Sequence, residues 1–164
     1  MTENHRNIIF KLAGADTISY GLKLMLLNLA RFPEVQEKCY EELKARNFES
    51  DDFGDCPYLN STVWESARYS CGVYRSLIHS VTGTTEINGY KLKKDDFVAA
   101  SLYGVHTSEK YFPDPYVFNP ERYLVDGVYR QDDNLMPFSA GKRKCPGYIF
   151  AQIEVYHFTK NILR

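Results

Sequence analysis

Cys145 follows three basic residues, Lys142, Arg143 and Lys144, and precedes Pro146, Gly147 and the pattern of a helix start. Cations before a thiol and a helix N-terminus after it both favour the thiolate. Gly141 and Gly147 allow backbone N–H groups to approach the sulfur, and Pro146 restricts the turn. This is the setting of a metal ligand or a reactive thiol rather than of a core side chain. With no second cysteine or histidine at ligand spacing, a zinc site is disfavoured. Cys39, Cys56 and Cys71 form no CxxC pair and are expected to be free, packed thiols of a reducing compartment. His5, His106 and His157 are scattered and are expected in surface or packing roles.

Two other groupings carry chemistry. Glu65 and Arg68 are three residues apart, on one face of a helix, where they can pair. Asp16 and Thr17 follow Gly14, and an acid and an alcohol beside a helix-loosening glycine can hold waters and relay protons.

The elements that must position these residues are readable from periodicity and punctuation. Residues 6–30 form a helix pattern through Ile8, Ile9, Leu12, Ala15, Leu22, Leu26 and Leu29. Gly14 and Gly21 interrupt it, which calls for a close neighbour, a kink or room for a ligand. Pro33 opens a second helix to about Arg46, a loop is expected over 47–55, and Pro57 opens a third helix. Residues 84–92 predict a hairpin turning on Asn88-Gly89, and Phe97–Leu102 a further strand. Residues 107–146 read mostly as loop, and a last helix runs from near Gly147 to the end. The fold class is therefore mainly α with a small β portion, in one domain spanning 1–164. A loop of that length points to function.

Composition excludes several classes. At 44% apolar and 25% charged the chain is not a disordered one. A net charge of −1 gives no pull toward nucleic acid or an anionic membrane. The polar start lacks the pattern of a signal peptide, and Leu24 to Ala30 is short of the ~20 residues a spanning helix needs.

The segment Phe138 to Glu154 resembles the haem-binding signature of the cytochrome P-450 family, F-x-x-G-x-R-x-C-x-G-x-x-x-A-x-x-E. Phe138, Gly141, Arg143, Cys145, Gly147, Ala151 and Glu154 occupy its fixed positions. Glu65 and Arg68 resemble the family's ExxR pair, and Pro120-Glu121-Arg122-Tyr123 its later Pro-Glu-Arg-[FY] motif. Ala13-Gly14-Ala15-Asp16-Thr17 resembles the [AG]-G-x-[DE]-T signature of the oxygen-side helix, with Ile18 departing from the usual Thr or Ser. Arg31 to Lys38, Asn88-Gly89-Tyr90 and Phe112-Pro113-Asp114-Pro115 also agree in type and order.

The resemblance implies a partial cytochrome P-450 fold binding haem b, with Cys145 as axial iron ligand and Phe138 sheltering its sulfur. Arg143 would pair with a haem propionate, and His79 stands where a second propionate-binding arginine is usual. Asp16 and Thr17 would serve the oxygen side, and Glu65, Arg68 and Arg122 would lock the cysteine loop. The implied activity is insertion of one oxygen atom of O2 into a small apolar substrate, with electrons from NADPH through a partner reductase. Family members of the eukaryotic type are usually endoplasmic reticulum membrane proteins, although this chain shows no anchor. The resemblance spans only the C-terminal haem-binding part, truncated at both ends, since 19 residues follow Cys145 and the early helices and much of the pocket have no counterpart. A non-catalytic haem-binding or inert gene fragment is the alternative, and a redox-active thiol protein the reading without the family.

Overall fold

The structure is a computed structural model that describes residues 3–49 and 55–164, with 3–10 as helix backbone only. The side chains of His5, Ile8 and Ile9, and residues 50–54 of the expected acidic loop, lie outside the described residues. Among the described residues, helices dominate and the strands are short. The first helix, α1 (Glu3–Arg31), runs unbroken through Gly14 and Gly21. Pro33 and Pro57 open α2 (Pro33–Ala45) and α3 (Pro57–Ser70), where a fixed φ helps and no N–H is required.

Around α3 the rest is organised. Leu59, Val63 and Trp64 are buried on it, together with Asn60, Ser61, Thr62, Glu65, Ser66 and Arg68. A helix buried on nearly all sides must satisfy its polar groups internally. Ser61 and Thr62 donate back to the carbonyls of Pro57 and Tyr58 at 2.7 and 2.8 Å. The Asn28 amide of α1 donates to Ser66 Oγ and Ser70 Oγ at 2.9 and 2.8 Å. At the helix start the Glu42 carboxylate of α2 accepts the N–H groups of Tyr58 and Leu59, both at 2.9 Å, placing negative charge at the positive end of the dipole. Gly72, just past α3, lets α1 come close: a Cβ there would lie 3.0 Å from Leu24 and 3.1 Å from Tyr20. Cys39, Cys56 and Cys71 are buried free thiols, as expected, and burial pushes the Cys39 thiol up to about 12.

The apolar stripe of α1 is only partly used. Met25, Asn28 and Leu29 are buried, whereas Leu12 and Leu26 remain 63% and 38% exposed. Gly72 and α3 meet α1 toward its C-terminal end, through Tyr20, Leu24 and Asn28. The final helix, α5 (Tyr148–Leu163), packs along α1 and α3 and buries Tyr156, Thr159, Lys160 and Leu163.

The strands form antiparallel pairs. The expected hairpin is present: β2 (Thr85–Ile87) and β3 (Tyr90–Leu92) pair Ile87 with Tyr90 around Asn88 and Gly89, whose φ values of 49° and 83° suit a type I′ turn. The strand expected over Phe97–Leu102 is shorter. Phe97–Val98 (β4) pairs with His79–Ser80 (β1), and Ser101 then accepts the Gly104 N–H at 3.1 Å and starts the short helix α4 (Leu102–His106). Beyond β4 the pairing continues only as an isolated bridge of Ser101 with Arg75, where the helix N-cap takes over. Residues 107–146 also hold more structure than expected. They contain a 3₁₀ turn at Pro120–Tyr123, a hairpin of β5 (Leu124–Val125) and β6 (Val128–Tyr129) on Asp126-Gly127, and a second 3₁₀ turn at Gly141–Arg143.

That long connection is folded around one carboxylate. Glu65 Oε1 and Oε2 accept bidentate bonds from Arg68 Nη2 and Nε, both at 2.8 Å. The same carboxylate also accepts Arg122 Nε at 3.2 Å, the Tyr123 hydroxyl at 3.2 Å and the Asn119 N–H at 2.9 Å. Arg68 spends its remaining donors on the carbonyls of His106 (2.7 Å), Pro115 (2.8 Å) and Val117 (3.3 Å). Arg122 donates to the carbonyls of Pro113 (3.0 Å) and Asp114 (3.4 Å). The expected Glu65–Arg68–Arg122 network is thus present, with Asn119 and Tyr123 added. Burial would suppress the Arg68 charge, but the bonded Glu65 carboxylate outweighs it and holds its pKa above the usual value.

Removing one buried partner strands the other charge, at a cost of about 3–5 kcal/mol. Arg68→Ala should therefore lower the midpoint of chemical denaturation by that equivalent. Arg122→Ala, at a site that reaches solvent, should cost clearly less. Equal midpoints for parent and Arg68→Ala would show that the network does not hold this fold.

Candidate functional site

The cysteine loop begins at a buried cluster around Trp64 of α3. Leu135 is buried with Trp64, Phe112 and Tyr123, and Phe138 packs edge-on against Trp64 of α3 at 6.3 Å between centroids. From Met136 onward the backbone folds on itself. Ser139 N–H donates to the Met136 carbonyl at 3.0 Å, and Cys145 N–H donates to the Phe138 carbonyl at 2.9 Å. Ser139 N–H and Phe138 C=O belong to one peptide group, so a single plane links the start of the loop to the cysteine. Ser139 at φ 63° and Gly141 at φ 72° make the reversals. The left-handed region suits glycine, and Ser139 occupies it at a cost of about 1 kcal/mol. Gly141–Arg143 forms a 3₁₀ turn, and Gly147 ends the loop as the N-cap of α5, its carbonyl accepting the Ala151 N–H at 2.9 Å.

Within this loop Cys145 is exposed, the reverse of Cys39, Cys56 and Cys71. The three preceding cations diverge in role. Lys144 Nζ lies over the Tyr148 ring, 3.9 Å from its centroid, a cation–π contact that fixes the loop to the start of α5. Arg143 instead lines a groove of about 540 Å³ together with His79, Ser139 and Ala140. Its other walls are mainly apolar, from Ile87, Tyr90 and Leu92 of the hairpin and Val98, Ala99 and Ala100 of β4 and its continuation. The structure therefore brings His79 and Arg143 to one groove from strands and loop that are 64 positions apart in sequence (143 − 79). Where a Cβ would stand on Gly141 or Gly147, no heavy atom lies within 4 Å.

Asp16 and Thr17 lie elsewhere, exposed on α1. Thr17 donates its hydroxyl proton to the Ala13 carbonyl at 2.6 Å, leaving its oxygen lone pairs as the outward-facing function. Neither residue lines the groove of His79 and Arg143. Gly14, Ala15 and Ile18 line a second groove, opposite Phe150, Ile153, Glu154, His157 and Phe158 of α5. Gly14 and Gly21 have no heavy atom within 4 Å of a would-be Cβ, so among the described residues these glycines serve no close approach. The α1–α5 packing relates the Asp16–Thr17 turn to the cysteine loop, because α5 follows that loop directly.

His106 is the residue whose part was not foreseen. It is fully buried, and its Nε2 accepts the Met136 N–H at 3.1 Å. No spacing to another ligand-type residue marks it, and its partner is a backbone group, so nothing in the residue pattern pointed to it.

Comparison with known proteins gives the family. The family model described as cytochrome P450 matches residues 4–164. Cytochrome P450 2C3 of Oryctolagus cuniculus is 37% identical over 158 residues, covering 93% of this chain and 32% of that protein. Cytochrome P450 1A1 of Opsanus tau is 33% identical over 161 residues, with coverage of 93% and 31%. Cytochrome P450 2C8 of Homo sapiens is 36% identical over 158 residues, with coverage of 93% and 32%. The chain spans about a third of the length of the curated relatives it matches. Motif order, the Glu65-centred network and a family match over nearly every residue agree, and the chain belongs to the cytochrome P450 family of haem-thiolate monooxygenases.

Proposed function

We propose that the chain is the haem-binding part of a monooxygenase that takes haem b at the cysteine loop, with Cys145 as the residue that would hold the iron. The observation that carries the reading is an exposed free cysteine at the end of a loop held by its own backbone bonds and tied to a buried charge network. A haem is a flat apolar disc with two carboxylates, and the residues present suit it. Open space stands over Gly141 and Gly147, and the adjacent groove has apolar walls with Arg143 and His79 as its side-chain N–H donors. When bound, haem supplies O2 activation, which a thiolate ligand favours by pushing electron density toward O–O cleavage.

The remaining tasks fall to this chain's own residues. Phe138, fixed by Trp64 and Tyr148, shelters the sulfur, while Arg143 and His79 hold the propionates by charge-assisted bonds. Thr17 and Asp16 hold water and move protons on the oxygen side, the Thr17 oxygen accepting because its proton is committed to Ala13. The substrate is a small apolar molecule, and electrons come from NADPH through a reductase. Among the described residues no helix is long and apolar enough to cross a membrane.

A second reading, haem binding without turnover by the 164 residues alone, is favoured by the exposure of the grooves' apolar walls. Tyr90, Phe150 and Phe158 are 76%, 61% and 55% exposed. A site that does not exclude water leaks protons and reduced oxygen before substrate reacts. Haem titration followed by single-turnover chemistry with a supplied electron donor separates the readings: coupled product from the 164-residue chain would sink the second.

Loaded with haem, the protein should give a thiolate-type ferrous–CO spectrum that Cys145→Ala abolishes and Cys39→Ala keeps; its survival in Cys145→Ala would remove the assignment. Arg143→Ala should speed haem transfer to an acceptor protein by about tenfold or more, the loss of a charged hydrogen bond, with His79→Ala acting in the same direction. Unchanged transfer in both variants would contradict the propionate roles.

A further inference from the structure

His106 joins the Glu65 network to the cysteine loop by hydrogen bonds, beside the apolar contact of Trp64 with Phe138. Its carbonyl accepts Arg68 Nη1 at 2.7 Å, which ties it to the Glu65 network. Its ring nitrogen Nε2 accepts the Met136 N–H at 3.1 Å, which ties it to the cysteine loop. From Met136 the connection continues through the Met136 carbonyl to Ser139 N–H, and across that peptide from the Phe138 carbonyl to Cys145 N–H. Three successive hydrogen bonds thus lead from the His106 ring to the backbone of Cys145.

The ring's protonation state follows from its partners. An Nε2 that accepts carries no proton, so the neutral imidazole must hold its proton on Nδ1. Nδ1 lies 3.8 Å from Cys71 Sγ, the right partner for an N–H donor, and Cys71 Sγ is itself 3.6 Å from the Val73 carbonyl. The edge of Phe112 closes the remaining side, with ring centroids 6.0 Å apart.

We propose that His106, as its neutral Nδ1–H tautomer, is the positioning residue that fastens the cysteine loop to the Glu65–Arg68 network. Its protonation would put an Nε2–H against the Met136 N–H, two donors facing each other, and the fastening would be lost. The groups facing it are Arg68 of α3, Cys71 at the C-cap of that helix and the side chain of Phe112, with Glu65 opposing the Arg68 charge. Burial, and then Arg68, lower its pKa from 6.5 to about 4. The folded form therefore binds the proton less well than the open form. The fastening is complete above pH 6.5 and weakens as pH falls from 6.5 toward about 4.

For its consequence at the iron this inference rests on the reading of Cys145 as ligand; the fastening itself does not. Three measurements on the full chain, loaded with haem where the spectrum is read, test it. Nitrogen NMR of His106 at neutral pH should show protonated Nδ1 and bare Nε2; an Nε2–H tautomer overturns the proposal. Exchange protection of the Met136 amide should fall about tenfold or more in His106→Phe, the loss of one buried hydrogen bond, and be largely restored in His106→Gln, whose side chain can accept. Equal protection in parent and His106→Phe overturns it, and where the Phe variant does not fold, the tautomer and the Gln variant decide. The thiolate-type ferrous–CO band of the parent should decay as pH falls through about 4, while His106→Gln holds it to lower pH; superimposable profiles overturn the proposal. A protected Met136 amide with the expected tautomer, in a protein that never gives the thiolate-type band, would sink the Cys145 reading and leave the fastening in place.

Discussion

The Glu65 carboxylate is the constraint on which the rest depends. It is fully buried, and burying a charge is tolerable only when its lone pairs are met. Arg68, Arg122, Tyr123 and the Asn119 amide meet them, and the arginines then need acceptors of their own. They find them in carbonyls of residues 106–117, which are otherwise without strand or helix partners beyond α4. A connection that would be a floppy loop on its own is thereby wrapped around one helix. Tyr123 shows the same coupling from the other side: burial and the Glu65 charge raise its phenol well above the usual value, so it stays a donor.

Rigidity passes from this network to the chemistry by two routes. One is apolar: Trp64, on the same helix as Glu65, stacks with Tyr129 and meets Phe138 edge-on, so the start of the cysteine loop rests on the core. The other is polar and runs through Arg68 and the backbone of α4. A loop with two left-handed residues, Ser139 and Gly141, holds its shape because both of its ends are held, by Leu135 in the core and by Gly147 at the start of α5. Strain of this kind is tolerated where surrounding structure over-determines it.

The two grooves divide the chemistry. His79 and Arg143 share one, between the β2–β3 hairpin, the β1–β4 pair and the cysteine loop, while the Gly14 turn of α1 lines the other, against α5. The apolar walls of both remain open, with Tyr90 of one and Phe150 and Phe158 of the other facing solvent. The family to which the chain belongs builds far longer proteins, since the relatives match it over about a third of their length.

Much of this was legible in the residues. The helices followed from period and proline, because an N-terminal proline and a 3.6-residue stripe are local causes. The Asn88-Gly89 hairpin followed from positive φ, and Asp126-Gly127 carried the same signal within a stretch read as loop. Glu65, Arg68 and Arg122 were recognisable as one set by motif. Tertiary structure decided what depends on distant neighbours: that Ser101 caps a helix, that among the described residues of α1 burial begins at Met25, and that His79 and Arg143 face one groove. It alone decided that His106 holds Met136, because a histidine's role is set by the group its ring nitrogen meets, and that group is a backbone amide thirty residues away.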